Sequence, residues 1–343
     1  MRRDIDIEDL GAQLDAACSE ASVPKSGSER RAARFQSVPI WLLYFLLWLI
    51  TAGILLTMLL RMLPNSLDGK RYIPIIVSLV PWLGVCSALI AVIAALGKRI
   101  VLTAVSIVCV VLQLFWHWGF LVPRHEISET ARSAVATSAG SLPNASDQYA
   151  RVMTFNTKEG EADAVQIVET VKAEHVEVLA MQEVTWDLIN RLKTAGIASY
   201  LPYSNIAQQT WHDNGGVNVL FSAAPMENAT ADLIPVESSS IPASTIDFGS
   251  KKVRFGSVHP FSPRPRNQGL WNKSLDSIAQ LRRYDNGASY VLMGDFNSTW
   301  DHASFRYLLG SRFVDSGEQS GEGFHMTYPA VFPIAEIDHI VHD

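Results

Sequence analysis

Uncharged apolar residues fill three long stretches in the first third of the chain, at 38–60, 73–96 and 100–122. Each exceeds the ~20 residues that a helix needs to cross the hydrocarbon core of a bilayer. The pattern therefore predicts three transmembrane helices. Pro74 lies near the start of the second stretch, where its missing N–H is tolerated. Pro81 lies inside it and should kink it. Trp41, Trp48, Trp82, Trp116 and Trp118 are candidate anchors at the membrane–water boundaries. Gln113 and His117 are polar residues in the third stretch. Such residues line an ion path or, more often, face neighbouring helices or headgroups.

The segment 127–146 reads ISETARSAVATSAGSLPNAS. It is small, polar and free of aromatics, so 123–148 is expected to be a flexible linker. From residue 149 the pattern changes to short β-rich runs alternating with amphipathic stretches. Strands are expected at 151–157, 176–183, 217–222, 252–259, 289–296 and 337–341. Helices are expected at 162–175, 186–195 and 268–284, the last with Leu270, Leu275, Ile278 and Leu281 on one face. This mixture predicts an α/β or α+β domain over 149–343.

Charge follows the same division. Of all residues 48% are apolar and only 18% charged. Residues 38–122 carry five Lys/Arg and one acidic residue, whereas 123–343 carry 17 Lys/Arg against 26 Asp/Glu. A uniformly basic nucleic-acid binder is excluded, since non-specific affinity needs many phosphate-neutralising cations. The tail 1–37 and the loop at Lys98 and Arg99 share one side and offer six positive charges near the spans. The other side offers five: Arg61, Lys70, Arg71, Arg124 and Arg132. The bias expects a cytoplasmic tail 1–37 and an extracytoplasmic C-terminal domain, in a multi-pass protein of the cell membrane. The tail is long for a signal peptide, so the first span reads as an uncleaved anchor. None of Cys18, Cys86 and Cys109 lies in the C-terminal domain, which excludes a disulfide framework or a Cys-based zinc site there.

The expected strands end repeatedly on chemically capable residues. MTFN ends on Asn156, VLAMQE on Glu183, FGSVH on His259, and YVLMGDFN on Asp295 and Asn297. EIDH carries Asp338 and His339. Rigid strands that each end in one such group are what a site at a sheet edge requires. Oxygen donors without Cys suit a hard cation, Mg²⁺ first and Mn²⁺ next. Any single strand-end Asn or Asp is more often a turn-former; five such ends in one domain are hard to explain that way.

MTFNTKEG, LAMQEV, GGVNVLFS, SVHPFSP, VLMGDFNSTW and EIDHIV occur in this order, and over 149–343 they resemble the endonuclease/exonuclease/phosphatase superfamily. The resemblance implies a four-layer sandwich of two packed mixed β-sheets flanked by helices. The expected fold is thus a three-helix transmembrane region followed by an α/β four-layer sandwich. The resemblance also implies Mg²⁺-dependent hydrolysis of a phosphoester by in-line attack of water. Glu183 then matches the principal metal-binding residue and Asn156 the residue that helps to hold the metal. Asp295 and Asn297 match the pair that orients or deprotonates the water and holds the phosphate. His259 matches a phosphate-side residue, and Asp338 the Asp that pairs with a catalytic His.

In the family a Ser-Asp-His motif follows the IDH strand. Here the sequence reaches Asp343 directly after EIDHIVHD, so the domain is expected to be C-terminally incomplete, with a sheet edge unpaired. His339 is not a substitute, because neighbouring strand residues face opposite sides. Two functions follow: a membrane-anchored phosphoesterase, or an impaired pseudo-enzyme that binds a phosphorylated ligand. A binuclear metallophosphatase of another fold would need a DxH and a GNH, which these motifs do not supply. The expected partners are the bilayer and a phosphoester of nucleic acid, lipid headgroup or small-molecule type, with no protein partner. A run of cations around His259, from Lys251, Lys252 and Arg254 to Arg264, Arg266 and Lys273, offers a basic rim for an anionic substrate.

Overall fold

The first apolar stretch forms one continuous helix, Ile40–Arg61. It is the one helix among the described residues that is long and apolar enough to cross a membrane. The computed structural model describes residues 39–124, 126–137, 148–211, 215–284 and 287–343; the tail 1–37 and the centre of the expected linker lie outside them. The chain parts into two units, residues 1–47 and 48–343. The described part of the first is the opening of that helix, which is exposed around a buried Leu47.

The other two apolar stretches are interrupted. The second divides into Ile73–Val77 and Val80–Leu96. The proline ring of Pro81 excludes the carbonyl four residues earlier, that of Val77, so one helix stops there and the next restarts with Pro81 in its first turn. The third runs as Ile100–Trp116, bends at His117, and resumes as Trp118–Leu121. At 17 residues each, Val80–Leu96 and Ile100–Trp116 are shorter than the expected spans; they form a helical hairpin. The expected linker also differs. Glu129–Thr137 is helical, since its Ala-rich sequence favours a helix and Ser128 Oγ accepts the Ala131 N–H at its start.

Among the described residues ten strands follow: β1 (Val152–Asn156), β2 (Val178–Val184), β3 (Tyr203–Ile206), β4 (Val217–Ser222), β5 (Glu227–Thr230), β6 (Ala243–Asp247), β7 (Lys252–Val258), β8 (Ser289–Asp295), β9 (Val314–Asp315) and β10 (Asp338–His342). They form a four-stranded sheet, β1-β2-β4-β3, and a six-stranded sheet, β5-β6-β7-β8-β10-β9. Only β1–β2 and β7–β8 pair in parallel, so both sheets are mixed. β1 is an edge strand with every residue part-exposed.

Strand alternation sorts side chains into layers. Val178, Ala180, Leu220, Phe255 and Met293 fill the space between the sheets. Leu179, Met181 and Val219 face the helices Ala164–Ala173 and Trp186–Ala195. Leu292, Phe296 and Val341 face the helices Gln268–Ile278 and Ala303–Leu309. The result is the expected helix–sheet–sheet–helix sandwich.

The sandwich is docked to the ends of the apolar helices within the second unit. Asp301 is fully buried and receives Arg61 Nε at 2.5 Å and His117 Nε2 at 3.0 Å. Asp68 Oδ2 accepts the Ser304 N–H at 2.8 Å, and His302 Nε2 meets the Pro74 carbonyl at 2.8 Å. Phe120 stacks on Phe324 with ring centroids 4.4 Å apart. His117 therefore faces the sandwich rather than an ion path.

Candidate active site

The C-terminal ends of β1, β2, β7 and β8 and the start of β10 meet at one end of the sandwich. Along β1 and β8 the residues of inter-sheet parity, Val152 and Val291 among them, lead to Asn156 and Asp295. On β7, Ser257 occupies that parity and His259 follows two positions later.

Glu183 gets there differently. Plain alternation after Leu179 and Met181 would send it outward, toward the helices. A β-bulge shifts the register between Met181 and Val184, so that Val184 takes the outward place. Glu183 adopts a left-handed φ of 56°. Thr157 Oγ1 donates to the carbonyls of Gln182 and Glu183, both at 2.8 Å, and fastens the bulge to β1. Two glycines press against it from the loop before β4. A Cβ on Gly215 would lie 2.6 Å from Glu183 Oε2, and one on Gly216 would lie 2.7 Å from the Glu183 carbonyl carbon. Both have positive φ, so glycine is needed there for space and for conformation.

Asn156 is the hub. Its Nδ2 lies 2.8 Å from Glu183 Oε1, 3.1 Å from Asp295 Oδ2 and 3.4 Å from His259 Nε2. Its Oδ1 accepts the Lys158 N–H at 2.8 Å, which sets the amide orientation. Glu183 Oε2 accepts the Glu159 N–H at 2.8 Å. His259 Nε2 lies 3.6 Å from Glu183 Oε1 and 3.8 Å from Asp295 Oδ2. Burial holds the His259 imidazole down at about 3, so it is neutral and compensates neither carboxylate.

Asn297 and Asp338 join from the flanks. Asn297 has a left-handed φ of 50°; its N–H donates to Asp295 Oδ1 at 2.8 Å and its Nδ2 to the Pro260 carbonyl at 3.1 Å. Asp338 pairs in register with Asp295 across β8 and β10. Burial first, and the Asp338 charge second, push the Asp295 carboxyl well above the usual carboxylate range. Burial likewise raises Asp338. Asp338 Oδ1 is buried without a hydrogen-bond partner. His339 points to the opposite face: Nδ1 meets Asp315 Oδ2 at 3.2 Å and Nε2 the Ser298 carbonyl at 2.8 Å.

The basic rim is only half present. Lys252 pairs with Glu227 and Asp247, and Arg254 donates to the Asn228 carbonyl and Thr245. Both lie toward the start of β7, while His259 follows its far end. At ~3.3 Å per residue the strand carries them away from the site. Arg264 and Arg266, in the loop after His259, remain candidates.

Among the described residues, no Lys or Arg pairs with Glu183, Asp295 or Asp338. Three carboxylates facing a neutral His and two amides leave negative charge uncompensated, which is costly where water is excluded. A hard divalent cation fits this donor set. Among the described residues no group of three or more His, Cys, Asp or Glu side chains is arranged to hold an ion.

Gln182, Thr157 and the Gly215–Gly216 pair are supporting residues that strand-end reasoning does not single out. Gln182 is fully buried and donates to Ser257 Oγ at 2.9 Å, tying the two sheets together beneath the site. A polar residue ending an otherwise apolar strand was the visible signal. The glycines stood in GGVNVLFS, but their contact with Glu183 is long-range.

The mixed-sheet sandwich thus gathers carboxylates, amides and a His at one end. The chain belongs to the Endonuclease/Exonuclease/phosphatase family, whose model matches residues 153–343. Members are generally phosphoester hydrolases, commonly dependent on divalent metals. Solved structures match part of the chain at low identity. A humanized D. rerio TDP2 is 14% identical, with TM-score 0.46, over 56% of this chain and 82% of that one. Sphingomyelinase C from Streptomyces griseocarneus is 15% identical, with TM-score 0.41, over 56% and 83%. A Staphylococcus aureus beta toxin variant with bound magnesium ions is 13% identical, with TM-score 0.40, over 56% and 83%. No curated protein matches the chain.

Proposed function

We propose that this protein is a membrane-anchored, Mg²⁺-dependent phosphoesterase in which Mn²⁺ can replace Mg²⁺. Glu183 holds the ion, Asn156 helps to hold the metal site by steadying Glu183 through its Nδ2, and His259, Asp295, Asn297 and Asp338 act on the substrate. The observation that carries this reading is the convergence of Asn156, Glu183, His259 and Asp295 within hydrogen-bond or ion-pair distance, from strands far apart in sequence. When bound, the ion polarises the phosphoryl group and offsets its charge. The neutral His259 can donate one hydrogen bond to a non-bridging oxygen without adding charge of its own. Asp295, held by the Asn297 N–H, has the raised basicity to take a proton from an attacking water. In the domain layout of this reading, 1–37 is a cytoplasmic tail, 38–122 enters the membrane in three passes, 123–148 connects, and 149–343 is the hydrolase outside.

The test is hydrolysis of bis(4-nitrophenyl) phosphate by the full chain in detergent. Turnover should need Mg²⁺ or Mn²⁺, stop with EDTA and stop with Glu183→Gln. Activity that survives EDTA overturns the metal assignment. One observation favours the second reading, an impaired enzyme that binds a phosphorylated ligand. Among the described residues, Asp338 Oδ1 faces no partner, and its neighbour His339 is committed to Asp315 and Ser298. Phosphate binding without turnover would select that reading.

A further inference from the structure

We infer that the loop formed by residues 328–334 is a membrane-seated surface that rests in the headgroup–acyl boundary beside the apolar helices. The inference rests on the reading of those helices as membrane spans. Residues 327–333 read TYPAVFP, carry no charge, and are all exposed. Val331 is 98% exposed and Phe332 74% exposed. An exposed loop is ordinarily polar, and a charge-free apolar tip calls for an apolar partner. The loop is ordered by its own neck: Thr327 and Tyr328 N–H groups donate to the Ala335 carbonyl, and the Ile334 and Ala335 N–H groups donate to the Tyr328 carbonyl.

The neighbour of this loop identifies the partner. Trp82, in the first turn of Val80–Leu96, donates its indole N–H to the Ile334 carbonyl at 2.8 Å and leaves 42% of its surface exposed. A Trp with one polar tie and an exposed ring, at the end of an apolar helix, is an interfacial anchor. The loop thus continues the exposed apolar surface of the helices, which includes Leu79 and Ile75. The Arg61–Asp301–His117 triad fixes the sandwich to the same ends of the helices, so the tip stands at a fixed height relative to them. The neck also reaches the candidate site, because Thr327 Oγ1 accepts the Ile337 and Asp338 N–H groups. Lipid contact at the tip therefore sets the candidate site beside phospholipid headgroups.

The experiment uses the full chain with Cys18, Cys86 and Cys109 replaced by Ser, reconstituted in phosphatidylcholine vesicles. An environment-sensitive fluorophore is attached to single cysteines introduced by Val331→Cys, by Val92→Cys within the helix, or by Ser250→Cys at the β6–β7 turn. Quenching by doxyl-labelled phosphatidylcholine is the readout. The expected result is at least threefold stronger quenching at positions 331 and 92 than at 250. Quenching at 92 but not at 331 overturns the inference and leaves the membrane reading standing. No quenching at either position overturns both. A blue shift at 331 without lipid quenching means that protein, not lipid, covers the loop, and overturns the inference as well.

Discussion

Asp295 and Asp301 stand six residues apart in one segment, and both are buried, at 6% and 0% exposure. Their surroundings differ in kind. Asp301 is met by Arg61 and His117, and although burial alone would raise it, these partners hold its carboxyl below the ordinary range. Asp295 is met by two amides, a neutral imidazole and two other carboxylates, and lies above that range. A structural cluster closes its own charge balance; the candidate site leaves its balance open. The difference separates a cluster that fastens the fold from one whose charge the chain itself does not balance.

The sharpest break of this comparison is at Asp301. Replacing it by Asn leaves Arg61 buried without a counter-charge. Removing one partner of a buried pair typically costs ~3–5 kcal/mol. Thermal unfolding of Asp301→Asn in detergent should show a melting temperature lower by several degrees. A shift under ~1 °C would mean that the triad contributes nothing to the docking.

At the open cluster the same kind of change should act on turnover instead. Glu183→Gln should lower phosphodiester hydrolysis by on the order of 10²–10³, as loss of one transition-state stabiliser does. It should leave stability in the absence of metal unchanged or slightly higher, since an uncompensated charge is gone. A melting temperature that drops as far as that of Asp301→Asn would erase the distinction between the clusters.

How far each cluster could be read from sequence follows from its physics. The open site was legible because strand alternation is local: MTFN, SVH and GDFN display their terminal residues without any tertiary information. Glu183 was visible as a strand-end residue, but the bulge that turns it inward was not, since it depends on β4 and on Gly215–Gly216. The strands β5 and β6, with sequences ENAT and ASTID, carry no long apolar run to announce them. The closed cluster was illegible for the opposite reason. Arg61 and Asp301 are 240 residues apart, and no local pattern links them. Only His117, a polar residue inside an apolar stretch, signalled that something had to meet it.

A third charge cluster lies between these extremes. Burial opposes protonation of His339, but Asp315, Glu336 and the Ser298 carbonyl outweigh it and lift the imidazole to about 9. The ordinary value is ~6.5. A raised folded value contributes stability that is fully present below ~6.5 and lost as pH rises through about 9. The contribution is on the order of 3 kcal/mol. Melting temperatures should therefore fall between pH 6 and pH 9.5, and His339→Gln should flatten that slope. An unchanged slope would show that the Asp315–His339 pair does not titrate in this window.

The smallest effect tests the open charge balance directly. Asp338 lies across from Asp295, keeps Oδ1 without a partner, and is raised by burial. A carboxyl whose folded value lies above its unfolded ~3.9 binds more protons in the folded state, so its ionisation weakens the fold as pH rises. Asp338→Asn removes that ionisation and also lifts the repulsion on Asp295. Without metal the variant should be more stable than the parent by ~1 kcal/mol at pH 8, and the gain should shrink as pH falls and the carboxyls take up protons. Mg²⁺ should reverse the order. A cation bound only by the folded state stabilises it in proportion to its affinity, and the parent offers it one more carboxylate in the vicinity. The pair of melting curves at pH 8, with and without Mg²⁺, carries the decision. If Asp338→Asn is less stable than the parent without metal, the Thr327 hydroxyl already satisfies Asp338, and the candidate site is as closed as the triad at Asp301.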